Sequence, residues 1–154
     1  MSTTVPGIPV SPVTRERIGG LLDAQEWPYD TDEEGDFCLR FNGDLHTIAT
    51  FGEREEVVNV VSWMPEDIPM ELLDESRAAI EDWRREHLFP TLFWRENDDA
   101  GMTLSIGCAV AVDWEPGATD KQLINHFHVA FTSSNDAFTL IRGRLGLPGP
   151  ETWK

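Results

Sequence analysis

Apolar positions along the chain change period several times, and each change marks an element. Phe37, Leu39 and Phe41 alternate with Asp36, Cys38 and Arg40, the two-residue period of a half-buried strand. Asn42-Gly43 follows, a pair that suits a two-residue type I′ turn because both central positions need positive φ. A second strand is predicted over Leu45 to Phe51. Gly52-Glu53-Arg54-Glu55-Glu56 turns the chain again, and Val57 to Met64, rich in β-branched residues, predicts a third. These three strands read as an antiparallel meander that Pro65 ends.

Helical periods flank and interrupt the strands. A first helix is expected with Ser11 as N-cap and Pro12 at its first position, burying Ile18, Leu21 and Leu22 and ending at Trp27-Pro28. Gly19-Gly20 weakens it by roughly 1 kcal/mol per residue relative to Ala, which points to close packing against another element. A second helix is predicted over about Met70 to His87, with Pro69 suited to its opening, acids leading and Arg84, Arg85 and His87 closing it as the helix dipole prefers. Thr91 to Glu96 and Met102 to Trp114 form a second hairpin around the turn at residues 97–101. In the longer strand Met102, Leu104, Ile106, Cys108, Val110, Val112 and Trp114 share one face. Thr119 and Gln122 make a capping-box pair, and Leu123, Phe127, Ala130, Ser134, Phe138, Ile141 and Leu145 then recur at helical spacing up to Gly146. At 1.5 Å per residue this last helix spans about 40 Å, enough to cross a small sheet.

The order is α-β-β-β-α-β-β-α, an α+β fold with helices packed on an antiparallel sheet. The folded domain is expected over residues 11–147, with a lead-in at 1–10 and a tail at 148–154.

Charge narrows the partners. The 154 residues include 28 acidic and 12 basic side chains, a formal net charge of −16. Such a surface repels phosphate, so neither nucleic acid nor an anionic membrane is an expected partner, whereas a basic protein segment would suit it. Plain solvation accounts for the same acidity. No run approaches a membrane span, the first ten residues lack a signal-peptide pattern, and Cys38 and Cys108 lack metal spacing. Two reduced thiols in a cytoplasmic protein are expected.

Candidate chemistry is sparse. Asp30-Thr-Asp32-Glu-Glu34-Gly35 imitates the start of a calcium loop, but the twelfth position is Phe41 where a bidentate Glu is needed, so a solvated turn is expected. His126 and His128 stand two apart on a helix and point away from each other. Ser105 lacks the leading Gly of a nucleophile elbow, no phosphate-cradling glycine loop occurs, and Cys108 faces the core. No catalytic residue, metal or cofactor is expected.

Six tryptophans are the more informative set. Trp27, Trp63, Trp83, Trp94 and Trp114 fall near element ends, and Trp153 in the tail. They read either as core-edge packing or as an aromatic interface, for which Trp63, Trp83, Trp94 and Trp114 are the candidates. Ser105, Gly107, Ala109 and Ala111 form a small-residue face that lets another backbone approach, either the last helix or a second subunit.

Three segments carry a resemblance: Leu21-Leu22-Asp23 through Asp36-Phe-Cys-Leu-Arg-Phe, Ala79 to Phe93, and Val112-Asp-Trp-Glu-Pro-Gly-Ala-Thr-Asp120. Over Thr14 to Leu145 the chain resembles the YbjN domain proteins, labelled bacterial sensory transduction regulators. Glu81-Asp82-Trp83-Arg84 departs from the Asn-x-x-Asn run common in that family's middle helix. The resemblance implies a fold similar to type III secretion chaperones, acidic dimers that bind unfolded partner segments, and it supplies no catalytic residues. The expected role is a non-catalytic, dimeric binding or regulatory protein holding a segment of a protein partner. The alternative is a small-molecule sensor with a pocket between the sheet and the last helix.

Overall fold

Alternation in the strands and helical stripes between them fold the chain into two layers. The computed structural model describes residues 10–98 and 101–148. Helix α1 is Arg15–Ala24, followed by β1 (Asp30–Thr31), β2 (Phe37–Phe41), β3 (Asp44–Phe51), β4 (Val57–Trp63) and β5 (Ile68–Pro69). A 3-10 turn at Met70–Leu72 leads into α2 (Leu73–Glu86), then β6 (Thr91–Glu96), β7 (Thr103–Asp113) and α3 (Asp120–Leu145). All strand pairs are antiparallel, joining β1 to β2, β2 to β3, β3 to β4 and β4 to β7, with β5 and β6 also on β7. The fold is α+β, as its patterning implies.

Alternation settles which face is buried. Phe37, Leu39, Ile48, Val58, Val60, Leu104, Ile106 and Cys108 turn inward, and every helix packs on that side. Ile18 and Leu22 of α1 join Leu123 and Phe127 from the first half of α3 in one cluster. Ala79, Ile80 and Trp83 of α2 join Phe138, Ile141 and Leu145 from its second half in another. All seven positions of the α3 stripe are buried. The capping box forms, with Thr119 Oγ1 accepting from Gln122 N–H and Gln122 Oε1 accepting from Thr119 N–H, and Gly146 closes the helix at φ 68°.

Three expectations need correction. Helix α1 starts three residues late, with Thr14 as its N-cap, because the Ser11 backbone instead makes a two-bond bridge to Ala118. Pro69 does not open α2: Ile68 and Pro69 pair with Leu104 and Thr103, so the α-helix begins at Leu73 after a 3-10 turn. The acidic run is not only a turn. Asp30 and Thr31 pair with Cys38 and Phe37 as an additional strand, while Asp32 Oδ1 accepts from Glu34 and Asp36 N–H in the turn proper. Of the glycine pair in α1, Gly19 is the close-packed one: a Cβ there would stand 3.3 Å from the Phe37 ring, whereas Gly20 faces open space. All of the expected lead-in except Val10, most of the tail with Trp153, and part of the turn at 97–101 lie outside the described residues.

Candidate functional site

With all helices on one face, the other face of the sheet carries no covering element among the described residues. Its rows follow from register: Arg40, Leu45, Trp63, Gly107 and Phe93 lie across the strands in one row, and Thr47, Val61, Ala109 and Thr91 in the next. Arg95 places its guanidinium 4.5 Å from the Trp63 ring centroid, a cation–π contact. Register turns two strand carboxylates outward, Asp30 on the edge strand β1 and Asp113 at the far end of β7, and none between them. In a chain of net charge −16 the centre of this face is depleted of acid.

The small-residue run sits on this open face. Gly107 is small because neighbouring rings close over it: a Cβ would lie 2.7 Å from Trp63, 2.9 Å from Phe93 and 2.9 Å from the Ser62 carbonyl oxygen. The last helix is therefore not its packing partner; α3 lies on the opposite face, where inward positions of β7 meet it. Ser105 Oγ donates to Asn97 Oδ1, while Ala109 is half-buried and Ala111 exposed.

A second feature lies at one end of β7. Strand β4 pairs with Gly107–Asp113 on one side, and β6 pairs with Leu104–Ala109 on the other. Residues 110–113 thus have no strand beside them on the β6 side. The Ile106 carbonyl and the Trp114 N–H both point toward β4, so strict alternation turns the Ala111 N–H and C=O to the empty side. A groove of about 520 Å³ runs here between β7 and α3, lined by Leu88, Phe89, Val112, Trp114, Asn125 and Val129 among others, with no charged side chain. Leu88 is 96% and Phe89 48% exposed at its edge. His126 closes the floor: its Nε2 donates to the Val110 carbonyl and its Nδ1 accepts from Trp114 Nε1. Burial lowers its pKa, and these bonds hold one neutral tautomer.

A third feature lies where α3 crosses the β2–β3 hairpin. Trp27, Phe41, Phe131, His46 and His128, with Asn42, Asp44, Thr132 and Asn135, line a cavity of about 320 Å³. His46 is buried with Nδ1 2.6 Å from Ser62 Oγ, and burial pushes its pKa down to about 4. Behind it, Arg142 Nε donates to Glu66 Oε2 at 2.6 Å and Nη2 to Asp44 Oδ1 at 2.7 Å. Burial raises the Asp44 pKa against the pull of Arg142.

The tryptophans do not converge. Trp63 lies on the open face, Trp83 is core and donates to the Pro90 carbonyl, Trp94 borders a depression with Ile80 and Arg84, and Trp114 lines the β7 groove. Trp27, Phe41, His46 and Phe131 were missed as a site; each is separately unremarkable, and only the crossing of α3 over the hairpin joins them. Among the described residues no three His, Cys, Asp or Glu side chains could hold a metal together, and no helix is long and apolar enough to cross a membrane. Burial raises the Cys108 thiol to about 12, leaving it unreactive.

A family model described as "Putative bacterial sensory transduction regulator", YbjN, matches residues 14–142. The chain belongs to the YbjN family. Among solved structures it is similar to "YbjN, a putative transcription regulator from E. coli", with TM-score 0.70 and 12% identity over 86% of this chain and 92% of that one. It is also similar to an uncharacterized protein from Methanothermobacter thermautotrophicus, with TM-score 0.54 and 13% identity over 87% and 100% of the two chains. None of the curated proteins compared with it matches. At these identities the two solved structures establish the shared fold and leave the function of this YbjN-family chain to its sites.

Proposed function

We propose that this chain is a non-catalytic cytoplasmic regulator that holds an extended segment of a protein partner in the groove beside residues 110–113. The observation that carries this reading is the unpaired stretch of β7 facing a charge-free groove. An unpaired strand edge supplies main-chain donors and acceptors to an added strand, and alternate side chains of that strand would enter the groove. The acidic chain favours a segment flanked by Lys or Arg. The test is hydrogen exchange with the partner captured from the native host. Ala111 and Asp113 amides should become protected, and Ala111→Pro, which removes the N–H at an edge, should abolish capture while melting as the wild type does. Capture that persists in Ala111→Pro refutes the placement.

The same reading includes a homodimer joined through the open sheet face around Ser105, Gly107, Ala109 and Ala111. Five strands about 4.8 Å apart and some eight residues long present roughly 600–700 Å² per protomer, near the size of a standard interface. Light scattering should give a dimer that Val61→Lys converts to a monomer; a monomeric wild type refutes it. The cavity between the hairpin and α3 favours a second reading, a small-molecule sensor.

A further inference from the structure

Ring geometry around the hairpin cavity is specific. Trp27 and Phe41 centroids lie 6.3 Å apart at 78°, Trp27 and Phe131 5.7 Å at 71°, and Phe41 and Phe131 4.9 Å at 53°. Planes so inclined do not stack; the rings pack edge to face or tilted against one another and together make the apolar part of the cavity lining. His128 meets Trp27 edge to face at 5.1 Å, which fixes the indole from the α3 side.

The electrostatics of the cavity have one sign. No Lys or Arg lines it. His46 is held neutral by burial, so it adds no positive charge at physiological pH. Asp44 forms part of the wall, and with Glu66 it shares the single guanidinium of Arg142, a buried group of two carboxylates and one cation that reaches the cavity through Asp44. The chain as a whole adds a net charge of −16. Aromatic faces and a negative background both favour a cation.

The type of cation follows from what the wall cannot offer. The Asp44 side chain is 1% exposed with its Oδ1 engaged by Arg142, and the other polar groups of the wall, Asn42, Thr132 and Asn135, are neutral, so the N–H donors of a primary ammonium or guanidinium meet no exposed carboxylate. Such a donor would leave water without a charged partner. A methylated ammonium has no N–H to satisfy and loses little on entry.

We propose that the cavity framed by Trp27, Phe41, His46 and Phe131 binds a trimethylammonium group. This inference rests on the sensor reading and names its ligand class. The group could belong to a free small molecule or to a trimethylated lysine side chain, and the test separates them.

Calorimetric titration of the full chain with choline and with its neutral isostere 3,3-dimethylbutan-1-ol isolates the charge, since shape is shared. Choline should bind at least about tenfold more tightly, and Trp27→Leu or Phe131→Leu should weaken it by about tenfold at an unchanged fold, checked by circular dichroism. A trimethyllysine peptide binding more tightly than choline assigns the group to a modified chain, and the reverse assigns it to a free metabolite; both support the cation. Equal binding of choline and isostere overturns the inference and leaves a sensor for neutral ligands. Binding of neither probe overturns the inference, and a broader ligand screen without any thermal shift would then remove the sensor reading as well. Choline affinity unchanged in both ring variants places binding elsewhere and also overturns it.

Discussion

Replacing Arg142 by Met should be among the most damaging single changes in the molecule. Its guanidinium ties α3 to the start of β3 through Asp44 and to the segment after β4 through Glu66, with bonds of 2.6, 2.7 and 3.1 Å. The three side chains are 4%, 1% and 6% exposed, so water cannot replace the contact. Methionine fills much of the same volume, and the loss is therefore chiefly electrostatic. Removing one partner from a buried ionic group costs about 3–5 kcal/mol, because the carboxylates remain behind uncompensated. In a domain of this size that is a fall in melting temperature of roughly 10 °C.

The pH dependence distinguishes this cause from lost packing. Burial already raises Asp44 above its ordinary carboxylate value, opposed by its hydrogen bond and attraction to Arg142. Without Arg142 the folded-state pKa rises further above the unfolded one. A carboxyl raised in this way penalises folding at neutral pH, and the penalty fades as pH falls through its folded pKa. Urea unfolding followed by tryptophan fluorescence should therefore show the deficit of Arg142→Met shrinking as the pH is lowered from neutral. Adding Asp44→Asn and Glu66→Gln should restore a large part of it at neutral pH. A deficit below about 1 kcal/mol, or one that does not change with pH, refutes the reasoning.

Three further outcomes follow from local geometry. Gly107→Ala should cost about 1–3 kcal/mol by thermal melting, since the new methyl meets the Ser62 carbonyl as well as the Trp63 and Phe93 rings and the backbone cannot yield; an unchanged melting temperature contradicts the close approach. Thr119→Ala should lose about 1 kcal/mol through the vacated cap of α3, read as a lower urea midpoint at constant m value. His46, with a folded pKa near 4 below its unfolded 6.5, contributes stability that is present above 6.5 and lost as pH falls toward 4. About 2 kcal/mol should be gone by pH 5, and His46→Gln should flatten that slope.

What could be read in advance was what adjacent residues decide among themselves. Thr119 and Gln122 cap α3 because they are three apart, and the stripe from Leu123 to Leu145 is buried because helical spacing puts it on one side. The inward face of β7 follows likewise from strict alternation. Misreadings arose where a distant partner overrides local preference. Ser11 is a good N-cap type, yet its backbone is claimed by Ala118, and Pro69 suits a helix start, yet its strand pairs with Thr103. Contacts at long range left no local trace: Arg142 meets Asp44 across 98 positions, and no periodicity encodes that. The small-residue face was visible, but not its covering, since Trp63 and Phe93 reach Gly107 only through the registers of two neighbouring strands.

Helix α3 also bears on whether the two readings of function exclude each other. Phe89 and Val129 line both the β7 groove and a shallow hollow of about 330 Å³, and His128 and Thr132 line both that hollow and the aromatic cavity. The two sites are therefore adjacent around one helix, whose other side is fixed in the core. If a cation in the cavity shifts the rotamers of His128 and Thr132, the change reaches Val129 through a single turn of helix. Coupling of that kind must be reciprocal, so choline should alter the affinity for a bound segment by the same factor by which the segment alters the affinity for choline. Titrating each ligand in the presence of a saturating amount of the other measures both factors. A common factor different from one makes the chain a ligand-controlled holder of its partner. Factors of one would show two independent sites, and the sensor would then need another output.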